Sequence, residues 1–493
     1  MRRALTMLSD TTFDVVIVGG GITGACCAHD AALRGLSVAL VERDDFGGAT
    51  SSASSKLIHG GVRYLQQAQP GKVRESARER AFFQRIAPHL TRWVPFLIPT
   101  QTGLLRGRWF LQCGMWAYAA LTSRENRRIT DPAKQVPGGT FYGRARFQRL
   151  VPPIGARNDV TGAHLFYESH LHSSERMTLA FLKSAVGRGA VVANYATVDG
   201  VLGGADRVRG VRVTDRLTGD AFDVRAQVVV NAAGPWLSGL SERLGLGPLA
   251  RPVTGFSQGA HIVTRQVVET YGLALPTSRR SSAVIDRGGR HIFVIPWRGR
   301  SLIGTTDRPH EGSVDEVAPL EDDIRDLLSD VNTALPGADL SRADVSHAFA
   351  GLYPLTVHQL QPHVYQGSGE YQIIDHSRDG GVSGAISVLG AKYTTARRLA
   401  ELATTQVCHQ LGRRAAPCRT AQTPLVGGAI DDLESFTSEA VARHAPPLDR
   451  KTVQHLVRHY GTETDAVITC AAGVPEPLRR LTPERESIVA EVV

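Results

Sequence analysis

The sequence predicts an α/β fold: a mostly parallel, helix-covered domain interleaved with an antiparallel β-sheet domain, followed by a helical C-terminal domain. Three observations predict it. The N-terminus carries a strand–turn–helix–strand unit, DVVIVGGGITGACCAHDAALRGLSVALVE (14–42). Strand-like runs return at 190–199 and 212–230, and alternating runs at 261–263, 291–295 and 301–304 suit a sheet with one buried face. From about residue 423 the chain turns polar, with helical patterns at 431–443, 451–460 and 463–471.

Composition sets the bounds. At 493 residues, 42% hydrophobic and 21% charged, the chain has material for two or three domains. No run of 18 apolar residues exists to span a membrane. The N-terminal MRRALTMLSDTTF has no apolar stretch of signal-peptide length. Six cysteines include no C-x-x-C and no histidine spacing for zinc, so no metal is expected. Cys26 and Cys27 read as small buried thiols, and a reducing cytoplasm follows. The net charge of +9 comes without any nucleic-acid motif. It suits an anionic substrate, an anionic membrane surface, or simply an arginine-rich solubilising surface.

In the first unit, residues 14–18 read as a buried strand, 25–33 as a helix and 37–41 as a second strand ending at Glu42. Gly19, Gly21 and Gly24 fall on the G-x-G-x-x-G spacing of a Rossmann-type domain. Gly19 supplies a turn with unusual dihedrals, Gly21 lets backbone approach a pyrophosphate, and Gly24 lets helix pack on strand. The helix N-terminus offers free N–H groups to the phosphates, and Glu42 accepts from the ribose hydroxyls. An acid there disfavours a 2′-phosphate, which leaves NAD or FAD.

The next segment, FGGATSSASSKLIHGGVRYLQQ (46–67), is a hydroxyl-rich loop running into an HGG turn. It suits an extended cofactor lying on backbone amides. With VVVNAAGPW (228–236), GAHIV (259–263), RHIFVIPW (290–297), LIGTTD (302–307) and GAKYTTARRLAE (390–401), the chain resembles the FAD-dependent glycerol-3-phosphate dehydrogenases, a branch of the D-amino-acid-oxidase-like flavoproteins. The likeness covers most of 13–425. It implies a discontinuous FAD-binding domain (13–90, 150–250 and 370–420), a substrate and membrane-contact domain (91–149 and 251–369) and a helical C-terminal domain (421–493). Relatives of this kind continue with another basic helical stretch, so the last domain is expected to be shortened. The likeness implies cofactor contacts at Gly19, Gly21, Gly24, Glu42, Arg43, Thr50, Ser51, Ser54, Lys56, His59, Gly61, Val198, Gly234, Trp236, Gly390, Lys392, Thr394 and Thr395. The implied reaction is oxidation of sn-glycerol 3-phosphate to dihydroxyacetone phosphate, with hydride passing from C2 to flavin N5 and electrons onward to quinone or another acceptor.

The stretch TGLLRGRWFLQCGMWAYAALTSRENRR (102–128) has an apolar core of about a dozen residues with arginines on both sides. It is too short to span a membrane and suits a helix lying in the interface. An ordinary buried helix is the competing reading. Family likeness favours peripheral attachment, hence a cytoplasmic protein resting on the inner face of the cytoplasmic membrane. Oligomeric state and the choice between quinone and dioxygen stay open.

The reaction needs a base, an anion-binding pocket and a positive group near the flavin. His261 is the preferred base, and His59 the cofactor contact. Arg63 and Arg290 match family positions for holding phosphate, because a guanidinium pairs two oxygens at once. Lys392, one of six lysines among 56 basic residues, precedes a turn where Thr394 or Thr395 caps a helix aimed at the flavin. Asp307 and Tyr353 complete the substrate set. Two positions depart from the family. Tyr353 stands where a G-x-R-P-L arginine is expected, and Gln258 where relatives carry a lysine. These departures keep open a flavin oxidoreductase or oxidase of this fold acting on another hydroxy- or amino-compound, and the shortened last domain keeps open a flavin-binding protein without turnover.

Overall fold

The computed structural model describes residues 1–155, 157–247, 253–277, 291–355, 370–379, 381–390, 392–470 and 473–492. Its first sheet runs in the order Gln372–Asp375, Ala385–Leu389, Ala221–Asn231, Thr12–Val18, Val38–Val41, Val191–Ala193. The strands from Ala385–Leu389 to Val191–Ala193 are parallel, with Val15 opposite both Val228 and Val38. Their Val- and Ile-rich runs are buried on both faces, as helix-covered parallel strands must be. A hairpin of Ala196–Gly204 and Arg207–Asp215 is attached along Ala221–Asn231.

The helix Ile22–Leu33 packs against helices Ser174–Val186 and Ala396–Gln410. Ala25, Cys26, Cys27 and Ala28 are all buried, and small side chains are what close packing on several sides requires. Burial pushes the Cys26 and Cys27 thiols well up, so both stay protonated and inert at neutral pH.

The second sheet has ten strands and is antiparallel apart from one pairing, Gly272–Pro276 beside Thr91–Gln101. Val345–Leu355 pairs along the whole of Gly255–Thr264, with His261 opposite Phe349. Helix Glu321–Ala334 covers one face, burying Ile324, Leu327 and Val331 against Ile262, Val294 and Ile303. The strand Val160–Leu171 lies within 150–250, assigned by sequence to the cofactor domain, yet it pairs with Thr91–Gln101 in the second sheet. The chain re-enters the first layer only with the helix Ser174–Val186. A hydrophobic strand reads alike in either sheet, so its membership was not visible in the sequence.

The C-terminal helices Leu433–His444, Arg450–Tyr460 and Thr464–Cys470 close on their own small core of Val453, Leu456 and Val457. Asp432 and Asp449 cap the first two.

Helix Arg108–Thr122 buries Leu111 and Tyr118 but leaves Trp109 67% and Trp116 61% exposed, beside Leu104 at 85%. It is therefore no ordinary buried helix. Among the described residues no helix is long and apolar enough to cross a membrane.

Candidate active site

Between the two sheets runs one cavity of about 830 Å³. One end opens where the parallel strands Thr12–Val18 and Ala221–Asn231 finish and the chain departs to opposite sides, the usual ligand crevice of such sheets. Gly19 adopts φ +107°, and a Cβ there would stand 2.6 Å from the Ala232 carbonyl oxygen. A Cβ on Gly24 would collide with the Gly19 carbonyl. Gly21 begins the helix with no side-chain cap, and it lines the cavity. The next amide, Ile22 N–H, donates to Ser51 Oγ at 2.9 Å, which pins the hydroxyl-rich loop to the helix start. Glu42 accepts from Gly20 N at 2.6 Å and Asp44 N at 2.8 Å. Each oxygen keeps a lone pair for a ribose hydroxyl. Burial pushes its carboxyl up, opposed by the two amides. Narrow glycine walls, a helix terminus with no side chain on its N-cap residue and an acid at the ribose position fit an extended dinucleotide such as FAD.

The same cavity takes in residues of the second sheet. His261, Ser257, Gly259, Phe293, Thr305, Asp307 and Tyr353 all line it. Ser55 Oγ lies 2.9 Å from His261 Nε2, and Phe349 stacks on the imidazole at 5.2 Å with rings 17° apart. Hydroxyl and phenyl together fix the ring's plane. Ser257 Oγ donates to Asp307 Oδ1. The cavity is also lined by His59, Arg63, Tyr64 and Lys392. The Lys392 ammonium sits 4.3 Å from the Tyr64 ring centroid and 3.4 Å from Ser76 Oγ. Burial lowers its pKa to about 8, with Lys72 and Arg63 adding to the effect and Glu75 opposing it. Burial, reinforced by Lys392 and Arg63, holds His59 well below the usual histidine range and so neutral.

Of the residues singled out by sequence, Gly19, Gly21, Glu42, Arg43, Thr50, Ser51, Ser54, His59, Gly61, Arg63, Val198, Gly234, Trp236, His261, Asp307, Tyr353, Gly390, Lys392 and Thr394 line this cavity. Three described residues do not join them. Gly24 lies beneath the turn and acts through packing. Lys56 turns away, its ammonium 3.0 Å from Glu175 Oε1 and 3.1 Å from Ser174 Oγ. Thr395 is buried and makes no side-chain cap, and Thr394 Oγ1 instead accepts from the His59 amide at 3.3 Å. The anticipated threonine cap is thus absent, because a 3₁₀ turn at Tyr393–Thr395 precedes the helix. Arg290 lies outside the described residues.

The Gln258 departure changes meaning. On the strand Gly255–Thr264, Ser257, Gly259 and His261 face the cavity, so alternation turns Gln258 to the other face. There its amide donates to Ala318 O at 2.9 Å and to Asp323 Oδ2 at 3.3 Å. A neutral residue at 258 therefore removes no charge from the cavity. Tyr353 does line it, opposite Ser257 in the strand register.

Sequence reasoning missed Ser55, Thr305, Arg243 and Glu168, all on the cavity wall. Glu168 accepts from Gly60 N at 2.6 Å and from Arg80 Nη1 at 2.8 Å, while Arg80 also holds Glu125 at 2.7 and 2.8 Å. This fully buried ion cluster fixes the HGG turn that carries His59. No motif announces it. Three charges scattered over ninety residues look like ordinary surface.

Residues 14–397 match the FAD dependent oxidoreductase family, and residues 418–493 match the C-terminal domain of alpha-glycerophosphate oxidase. The glycerol-3-phosphate dehydrogenase of Synechocystis is 34% identical, over 100% of this chain and 87% of its own length. The chain belongs to the FAD-dependent glycerol-3-phosphate dehydrogenase family. The mitochondrial glycerol-3-phosphate dehydrogenase of Mesocricetus auratus is 34% identical over 95% of the chain, and the chain spans 62% of that longer relative. The structure of the Bacillus halodurans glycerol-3-phosphate dehydrogenase complexed with FAD superposes with a TM-score of 0.72 at 29% identity, covering 96% of this chain and 80% of that one. FAD is accordingly the cofactor of this family member.

Proposed function

We infer that this chain oxidises sn-glycerol 3-phosphate to dihydroxyacetone phosphate, using FAD held in the cavity between the sheets. One observation carries the reading: a single cavity joins a dinucleotide-fitting end to a region lined by His59, Arg63, Lys392 and His261. Gly19, Gly21, Ser51 and Glu42 would hold the pyrophosphate and ribose, and Thr394 and Lys392 the other end. Bound FAD supplies a two-electron acceptor for the C2–H bond. His261 takes the C2 hydroxyl proton on its imidazole, whose plane Ser55 and Phe349 fix. Arg63 pairs with the substrate phosphate, with Arg290 as its expected second partner. Lys392 stays largely protonated at neutral pH and stabilises the oxygen as negative charge builds on it. The test is anaerobic bleaching of the flavin absorbance. Glycerol 3-phosphate should bleach it at concentrations where glycerol does not, and equal bleaching by both would move the reading to an unphosphorylated substrate.

The exposed apolar face of helix Arg108–Thr122 supports peripheral membrane contact. Leu104, Trp109 and Trp116 form an outward apolar edge, and Arg106, Arg124, Arg127 and Arg128 flank it. Leu111 of the same helix lines the cavity, which favours an acceptor that arrives through lipid, such as a quinone. Binding to anionic vesicles at low salt, released at high salt and lost in Trp109→Ser/Trp116→Ser, is the expected result. A wild-type protein that ignores such vesicles would remove this part of the reading.

A further inference from the structure

We propose that Asp315 bolts a clasp across the adenosine end of the cavity and so sets how fast FAD leaves the protein. The proposal rests on the reading of that end as the FAD site. Arg43 follows the strand Val38–Val41, and Trp236 ends the 3₁₀ turn Gly234–Trp236. Both therefore hang from C-terminal ends of the parallel sheet, on either side of Gly19, and both line the cavity. The Arg43 guanidinium lies 4.5 Å from the Trp236 ring centroid, a cation stacked on an indole.

Asp315 comes from the other layer, in the segment between the strand Arg308–His310 and the helix Glu321–Ala334. Its Oδ1 accepts from Arg43 Nη1 at 2.8 Å and from Trp236 Nε1 at 2.7 Å. One carboxylate oxygen thus ties the stacked pair together and fastens it to the opposite sheet. Asp44 steadies Arg43 from behind, accepting from its Nε at 3.1 Å and also pairing with Arg216.

A single exposed ion pair contributes little, because solvent screens it and two side chains must be ordered. This arrangement differs in what it restrains. The stack is part of the cavity wall, and an extended dinucleotide leaves only when that wall parts. Removing Asp315 takes one anchor from both wall residues at once, with Arg43 still held by Asp44 and the glycine-rich turn untouched. Asp315 is surface-exposed, so its replacement carries no burden for the core.

The experiment uses the purified flavin-loaded protein, diluted into FAD-free buffer, with release followed by the rise in FAD fluorescence. Asp315→Ala should release FAD about tenfold faster than wild type, the size expected for losing one charge-assisted anchor. Raising the salt should speed release from wild type and leave the variant nearly unchanged. Arg43→Gln combined with Asp315→Ala should release no faster than the quicker single variant, since both break the same clasp. Equal release from wild type and Asp315→Ala, or effects that multiply in the double variant, would overturn the clasp. A wild-type protein that never retains FAD would instead overturn the cofactor reading beneath it.

Discussion

The two ends of the cavity are built from different materials. The adenosine end is made largely of backbone: glycines that cannot carry a Cβ, an uncapped helix terminus and an acid locked by two amides. The substrate end is made of side chains delivered by separate strands and turns, with His261 from one sheet and Arg63 and Lys392 from elsewhere. Backbone sites tolerate almost no substitution and are written as compact motifs. Side-chain sites can be rebuilt one residue at a time.

That contrast can be broken or sharpened by experiment. The largest effect is expected at the adenosine end. Gly24→Val should give colourless protein and cost more than about 4 kcal/mol, because the new side chain must displace the Gly19 backbone. Gly21→Ala meets only Ser51 Oγ, at 3.2 Å, and should retain yellow protein with weakened FAD binding. Flavin content and thermal unfolding check both, and full retention of FAD by Gly24→Val would end the idea of a backbone-built site.

At the substrate end, Lys392→Met should lower kcat by about 100-fold, the scale for removing one positioned electrostatic donor, without emptying the flavin site. Its pH profile is the finer probe. Burial lowers the Lys392 pKa to about 8, so the cation is present below that pH and lost above it. Wild-type kcat should therefore fall as pH rises through about 8, and the variant should lack that limb. A wild-type profile flat from pH 7 to 9.5 would count against Lys392.

Tyr353→Arg restores the guanidinium expected at a position that does line the cavity, and should lower KM for glycerol 3-phosphate by up to about tenfold, one charge-assisted contact. Gln258→Lys restores the other family cation but points it at Asp323 rather than the cavity, so KM should stay within about twofold of wild type. Steady-state kinetics on the pair measures the difference. A larger KM change at 258 than at 353 would reverse the assignment of strand faces.

Legibility in the sequence followed the same division. The first strand, the glycine turn, the following helix and Glu42 were readable because each places a chemical demand on neighbours in the chain. The helices at 431–443 and 451–460 were readable from periodicity, and the second sheet from alternation. The allocation of Val160–Leu171 was not, since pairing partners decide it. Lys56 sits in a cofactor-like loop, yet its side chain found Glu175, more than a hundred residues away. Ser55 was hidden among equivalent hydroxyls, and only the approach of His261 distinguishes it. Arg80, Glu125 and Glu168 act as one buried unit whose members share no local pattern.

The order of strands in the first sheet also sets a timetable for synthesis. Ala385–Leu389 lies beside Ala221–Asn231, so the sheet that carries the glycine turn of residues 19–24 is complete only when its last strand leaves the ribosome. From residue 231 to residue 385 the interval at ordinary elongation rates is on the order of 8–30 s. Throughout it the valine-rich edge of Ala221–Asn231 waits without its neighbour, a template for pairing with other nascent chains. FAD capture is therefore a late event in the life of this polypeptide. A ribosome that stalls before residue 385 leaves a product that exposes the nucleotide motif without the means to hold the nucleotide.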